Sequence, residues 1–197
     1  MTRRPGTPGA GAEGLRSARR LLRRRQREVE GRWLVEGPQS VREALAVPAL
    51  VQRVFLTRVA AQRHPDLVAA AATAGVPLAE VSEAELATLS ETVTPQGVVA
   101  VTGALGAGLD DALGASPSLV VVCAQVRDPG NAGTVIRCAD AFGADAVVLT
   151  DSSVELGNPK VLRASVGSVF HLPVATGVPL AEAVAACRDR GLQVLAA

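Results

Sequence analysis

Beyond residue 31 the apolar positions fall into short runs whose period keeps switching. Residues 32–35, 51–57, 76–81 and 97–101 carry the Val, Leu and Phe content of strands, while 38–46, 65–74 and 82–89 read as helices. Pro38 and Pro65 stand in first turns, where a missing N–H costs nothing, and Ser82 with Glu85 makes a capping-box pair. The pattern then resumes. The unbroken run Leu119, Val120, Val121, Val122 predicts a strand over 118–124 that is covered on both faces. Residues 132–142 predict a helix stopped by Gly143, 146–149 a strand, and 158–164 a helix with Asn158 as cap and Pro159 at its first position. A strand at 172–175, a helix at 180–190 and a strand at 192–195 complete the series, which predicts an α/β protein.

Between the two runs, residues 104–117 are rich in Gly and read as a linker. The predicted organisation is therefore a basic arm at 1–30, a first α/β unit at 31–103, this linker, and a second unit at 118–197. The last of these stops on an apolar strand with no polar tail, which predicts that further chain follows it.

Composition narrows the class. Of 197 residues 48% are hydrophobic and 20% charged, which suits a folded chain, and with Trp33, Phe55, Phe142 and Phe170 as the only aromatics the core must come from Ala, Val and Leu. Stretches 92–109 and 164–181 lack formal charge, but Pro and Gly interrupt both, so neither predicts a membrane span. No apolar segment follows the N-terminal arginines as in a signal peptide, and a cytoplasmic location is expected. Cys123, Cys138 and Cys187 are unpaired in spacing and read as buried, inert thiols. With only His64 and His171, metal catalysis has no support.

Charge is distributed unevenly. Residues 1–32 hold ten Arg and three Glu, and the rest of the chain carries an acidic excess that leaves the total at +1. An Arg-rich arm fits nucleic acid, because each guanidinium can grip a phosphate bidentately, and Arg19, Arg20, Arg23 and Arg24 are the candidate contacts. A solvated tail fits the same pattern. Residues 1–14 predict disorder and 15–30 a basic helix with Leu15, Ala18, Leu22 and Val29 on one side.

Two segments carry the chemistry. In the first, Asp128, Pro129 and Gly130 turn the chain from a buried strand to a helix head at Asn131, where free N–H groups favour an anion. Arg137 lies under two turns further on, near the same mouth, with Val135, Ile136, Ala139 and Phe142 able to face the core. In the second, Lys160 and Arg163 share a helix face and can meet phosphate. A plain strand-turn-helix with a capping Asn and a surface Arg fits the spacing as well.

The order Asp128-Pro129-x-Asn131-x-Gly133-Thr134-x-x-Arg137-x-Ala139-Asp140-Ala141-Phe142-Gly143 resembles the first motif of SpoU-type, TrmH-like RNA ribose 2′-O-methyltransferases of the SPOUT class. Residues 160–174, with Arg163-Ala164-Ser165, Gly167 and Phe170-His171-Leu172-Pro173-Val174, are similar to a later motif of the same family. Trp33 to Pro38 and Thr94 to Ala100 are similar to its L30e-like substrate-binding domain. The resemblance implies an N-terminal L30e-like α/β/α domain followed by an incomplete SPOUT, α/β-knot, parallel-sheet domain. The family's Gly-Asn-Glu-Gly-like loop and Ser-Leu-Asn segment, which tie the knot and build most of the S-adenosylmethionine pocket, have no counterpart here, so cofactor-binding residues are expected in a missing C-terminal segment.

It also implies 2′-O-methylation of RNA, with S-adenosylmethionine as donor, no metal, and a homodimer. Arg137 and Asn131 take the catalytic positions, and Arg19, Arg20, Arg23, Arg24, Lys160 and Arg163 the RNA contacts. A guanidinium is too weak an acid to serve as general base, so Arg137 is expected to clamp an RNA phosphate and stabilise developing alkoxide charge. Ribosomal RNA is the first candidate substrate and transfer RNA the second. A non-catalytic RNA-binding module is the main alternative, whereas a nucleotide-binding α/β enzyme lacks any Walker or Rossmann loop.

Overall fold

A computed structural model describes residues 8–196. The N-terminal half runs α1 (Pro8–Arg20), α2 (Arg24–Glu30), β1 (Arg32–Glu36), α3 (Pro38–Ala46), a 3-10 turn (Pro48–Leu50), β2 (Val51–Thr57), α4 (Arg58–Arg63), α5 (Pro65–Thr73), β3 (Leu78–Val81), α6 (Glu83–Ala87) and β4 (Val98–Gly103). Its four strands lie in the order β1-β4-β2-β3, antiparallel except for the β2–β3 pair. Side chains alternate across this sheet. Leu34, Phe55, Val99 and Val101 face Leu15, Ala18 and Leu21 of the N-terminal helical segment, while Trp33, Val35, Val54, Leu56, Val98 and Ala100 face the other way. The result is the three-layered α/β/α arrangement. Both bonds of the predicted capping box form, with Ser82 Oγ accepting from Glu85 N and the Glu85 carboxylate accepting from Ser82 N, which holds the Glu85 carboxyl below its usual range.

The C-terminal half runs α7 (Leu109–Leu113), β5 (Val120–Cys123), α8 (Pro129–Ala141), β6 (Ala146–Thr150), α9 (Pro159–Ser165), a 3-10 turn (Ser168–Phe170), β7 (Val174–Val178) and α10 (Leu180–Asp189). Its strands are all parallel, in the order β5-β6-β7. Helices α8 and α9 cover one face through Ala132, Ile136, Val161 and Leu162, and α7 and α10 cover the other through Ala112, Leu113, Ala183 and Cys187. Burial on both faces explains the continuous apolar run of the central β6, all five of whose residues are buried, whereas β5, expected to be covered on both faces, is only half-buried because it lies at the edge of the sheet.

The two sheets share one apolar core. Trp33, Val35 and Val41 from the first half belong to the same buried cluster as Ala132, Ile136, Val147 and Leu162 from the second. Gly157 lies so close to the Trp33 indole that a Cβ there would collide with the ring. An interface of this kind sets the relative orientation of the halves far more firmly than a linker could.

Several expectations are corrected. The basic segment is two helices, not one: bonds from Leu21, Leu22 and Arg23 N–H to the carbonyls three residues back break it. The break shifts the phase, so Leu21 and Arg27 are buried and Val29 is 74% exposed. The expected disorder of 1–14 gives way to helix from Pro8, and its first seven residues lie outside the described ones. The glycine-rich 104–117 stretch packs α7 under the second sheet and bridges Ala107 to Ala175. Residues 192–195 form no strand, because Leu192 N–H turns back to Cys187 O and no neighbouring strand among the described residues takes up the backbone groups that follow. Cys138 is exposed, not buried; Cys123 is half-buried, and burial pushes its thiol pKa up.

Candidate functional site

The site is built where β5 hands over to α8. Asp128, not Asn131, caps this helix: its Oδ1 accepts from Asn131 N–H at 2.8 Å, and Pro129 occupies the first helical position. Asn131 thus sits in the first turn with its side chain exposed. Asp128 Oδ2 lies 3.8 Å from Lys160 Nζ, and a Cβ on Gly130 would be 3.7 Å from Lys160 Cε, so the two motif segments lie side by side. Asn158 caps α9 as predicted, its Oδ1 accepting from Lys160 N–H at 2.9 Å.

The close approach continues along the helices. Gly133 meets the backbone of α9: a Cβ on it would fall 2.5 Å from Val161 O and 2.9 Å from Ser165 N. Only glycine allows this crossing, which holds α8 with Ala132, Ile136 and Ala139 inward. Asn131, Thr134, Arg137 and Cys138 face solvent, and Phe142, expected in the core, is 81% exposed beside them. At 100° and 1.5 Å per residue, Asn131 and Arg137 are about 120° apart around the axis and about 9 Å along it, so they share the open side of α8 without touching. Among the described residues, the Arg137 guanidinium has neither an ion pair nor a hydrogen bond.

The other predicted cations divide. Arg19 and Arg23 are exposed, and their side chains have no ion pair or hydrogen bond among the described residues; Arg20 Nη2 lies 4.0 Å from Glu30 Oε1, and Arg24 Nε binds Glu28 Oε1 at 2.7 Å. Lys160 is exposed and only loosely paired to Asp128. Arg163 is committed elsewhere: its Nη1 lies 3.2 Å from Oε2 of the buried Glu36, whose Oε1 accepts from the Ser90 and Thr92 hydroxyls at 2.5 and 2.8 Å. These contacts tie the 90–97 loop of the first half to α9, and a groove of about 630 Å³ runs between them, past Thr94, Gln96 and Lys160.

Two further tethers escaped the sequence reading. Arg27, buried inside the basic run, forks onto Glu155 through Nε–Oε1 at 2.8 Å and Nη2–Oε2 at 2.7 Å, and its Nη1 donates to the carbonyls of Leu21 and Leu22. His171 bridges Asp140 at 2.7 Å and Glu43 at 3.1 Å, and the Asp140 carboxylate, joined by Glu43, raises its pKa against the opposing effect of burial. His171 belongs to the second motif segment, but no local pattern gives the partners of either residue, which are remote in sequence.

A nucleoside methyl donor needs an apolar slot with polar groups for its ribose and amino-acid ends. The groove along the open edge of β5, about 390 Å³, is walled by Leu119, Val120, Val122, Leu180 and Leu195, and no charged side chain lines it. Ser118 and Gln193 are the polar side chains on its wall. Among the described residues no group of three His, Cys, Asp or Glu stands close enough to hold a metal ion, and no helix is long and apolar enough to cross a membrane.

Comparison with known proteins agrees with this geometry. The profile of the SpoU rRNA Methylase family matches residues 118–197, and that of the MRM3-like substrate binding domain matches residues 13–100. The 23S rRNA (guanosine(2553)-2′-O)-methyltransferase RlmP of Bacillus subtilis is 33% identical over 156 residues, covering 79% of this chain and 58% of the relative. The mitochondrial rRNA methyltransferase 3A of Danio rerio is 35% identical over 160 residues, or 75% of this chain and 34% of that one. The chain thus spans between about a third and three fifths of these relatives. An AdoMet-bound rRNA methyltransferase from Sinorhizobium meliloti superposes with a TM-score of 0.75 at 26% identity, over 89% of this chain and 65% of that one. The SpoU methyltransferase AviRb of Streptomyces viridochromogenes, in complex with AdoMet, gives 0.73 at 27% identity, over 90% and 67%. With the motif turn, the parallel sheet and the α/β/α unit in front of it all in place, the chain belongs to the SpoU rRNA methylase family and carries an MRM3-like substrate-binding domain.

Proposed function

We propose that this protein takes part in S-adenosylmethionine-dependent 2′-O-methylation of a ribose in RNA, with ribosomal RNA as the substrate, in the cytoplasm and as a homodimer. The observation that carries this reading is Arg137, a cation on the open face of α8 with no ion pair among the described residues, on a helix held in place by the Gly133 crossing. In that reaction S-adenosylmethionine supplies the methyl group, and the residues of this chain act on the RNA. Arg137 neutralises a backbone phosphate and the charge that develops on the ribose oxygen, Asn131 orients the nucleotide at the helix head, and Arg19, Arg20, Arg23, Arg24 and Lys160 hold flanking phosphates. Arg163 contributes by fixing the groove through Glu36. The exposed Phe142 and Cys138 beside Arg137 support a second copy of the chain packing on α8.

Ribosomal RNA is preferred over transfer RNA because the relatives are ribosomal RNA enzymes. The test is incubation with S-adenosylmethionine and ribosomal RNA, followed by mass spectrometry of nuclease digests. A 2′-O-methylated nucleotide is the expected product, and methyl groups on bases alone refute the assignment. The apolar character of the β5 groove favours one second reading, RNA binding without methyl transfer. It predicts RNA retention by this chain with no measurable S-adenosylmethionine affinity in a calorimetric titration.

A further inference from the structure

A second basic site, which Arg137 does not line, is a cavity of about 310 Å³ between α2, the loop before α8 and the loop after β6. Three arginines reach it: Arg24 and Arg27 from α2, and Arg127 from the residue just before the helix cap Asp128. Two carboxylates answer them: Glu28 takes Arg24 Nε at 2.7 Å and Glu155 takes Arg27, so Arg127 is the cation left over. Both oxygens of Glu155 are taken by Arg27, and Arg24 approaches Glu155 no closer than 3.7 Å. Arg127 is exposed and has no ion pair among the described residues. The cavity is therefore left with an excess of positive charge.

Its neutral groups are donors as well. Ser153 Oγ is buried with no hydrogen-bond partner, an uncommon and costly state for a hydroxyl. Asn158 spends its Oδ1 on the Lys160 N–H, so the remaining function of that side chain is its amide NH2. Ser152 holds the loop in the left-handed region at φ 60°, which turns the chain tightly beside the cavity. The unpaired Arg127 guanidinium, a buried hydroxyl and an amide, with Arg24 and Arg27 already paired to Glu28 and Glu155, make a receptor for an anion.

We infer that this cavity is a subsite for a phosphodiester of the RNA backbone, shared between the two halves of the molecule. The polymer is favoured over a free anion because the segment that supplies Arg24 and Arg27 also carries the exposed Arg19, Arg20, Arg23 and Arg25, an accumulation of cations that suits a polyanion. Occupancy at Arg127 anchors the strand at the root of α8, the helix that presents Arg137. The inference rests on the RNA reading above but turns on Arg127 and Ser153, to which that reading gives no role.

The experiment is fluorescence-anisotropy binding of a ribosomal RNA fragment to the whole chain across a salt series. Arg127→Ala is expected to weaken binding about tenfold and to reduce the slope of log K against log salt by about 0.7 to 0.9, the value of one lost phosphate contact. Ser153→Ala is expected to weaken binding with the slope unchanged, and its Tm in the absence of RNA should stay level or rise because an unpaired buried hydroxyl has gone. Arg63→Ala, on the remote α4, serves as the control for bulk charge. If Arg127→Ala behaves like Arg63→Ala while the unmodified chain binds RNA, the subsite is wrong and the RNA reading stands. If inorganic phosphate raises the Tm through Arg127 but the RNA slope does not change, the site takes a free anion and the inference fails. Absence of salt-dependent RNA binding by the unmodified chain overturns both.

Discussion

Arg27 and Glu155, 128 positions apart, form a two-pronged ion pair at 2.7 and 2.8 Å across the boundary between the N-terminal helices and the second sheet. The guanidinium is only 4% exposed, and its remaining arm closes the frayed turn between α1 and α2 by binding two carbonyls. One side chain thus fixes the break in the basic segment and ties it to the loop after β6.

Removing that cation strands a mostly buried carboxylate. Arg27→Met should destabilise the chain by about 3 to 5 kcal/mol, the usual cost of breaking a buried pair from one side. Paired substitution with Glu155→Gln should recover much of it. Urea unfolding of the two variants and the double variant checks this, and additive losses would show that the two side chains do not act as a pair.

The α8–α9 crossing makes Gly133 intolerant of even one methyl. Gly133→Ala meets Val161 O, Ser165 N and Ala164 Cβ, backbone atoms among them, so the helices must separate. A loss of about 1 to 3 kcal/mol is expected from overpacking, outweighing the helix propensity that alanine gains. Thermal unfolding should show a Tm lower by several degrees, and an unchanged Tm would mean that the helices have room for a methyl at the crossing.

His171 makes stability depend on pH. Its folded pKa is raised by Asp140 and Glu43, so the imidazolium form is favoured in the folded state. That contribution is complete below the unfolded value near 6.5 and fades as pH climbs through the raised folded value. Because the ring is 42% exposed, screening keeps the effect under about 1 kcal/mol. His171→Gln should remove this fall on the alkaline side of neutrality, measured by urea midpoints from pH 6 to 9. A variant whose pH profile overlies the parent's would exclude the bridge.

Arg137→Ala should lower methyl transfer by about a hundredfold to a thousandfold where transfer is assayed, with the Tm within about a degree of the parent, because the side chain has no partner among the described residues. A large loss of stability would instead mark it as a structural cation.

The arm requires point substitutions. Leu15, Ala18 and Leu21 belong to the buried cluster under the first sheet, so deleting residues 1–30 would expose that core. Arg19→Ala and Arg23→Ala leave the packing intact, and each should lower the RNA salt slope by about one contact. An unchanged slope would reduce both to solvated charges.

The chain's local patterns already determined a good deal. Pro38 and Pro159 at first turns, the Ser82–Glu85 box, the apolar run beginning at Leu119 and the Asp128 to Gly143 motif act over a few residues, through dihedral limits, capping bonds and burial period, and so stand in the sequence itself. Tertiary structure alone decided the rest. Whether Arg163 meets phosphate or Glu36, whether Arg27 is solvated or buried, whether Phe142 faces in or out, and whether 192–195 pairs as a strand all depend on partners far away along the chain. A charge or an apolar ring has the same composition and spacing in either setting. Its role is set by the energy of the group it finally meets, and that group is chosen only when the two sheets close on a common core.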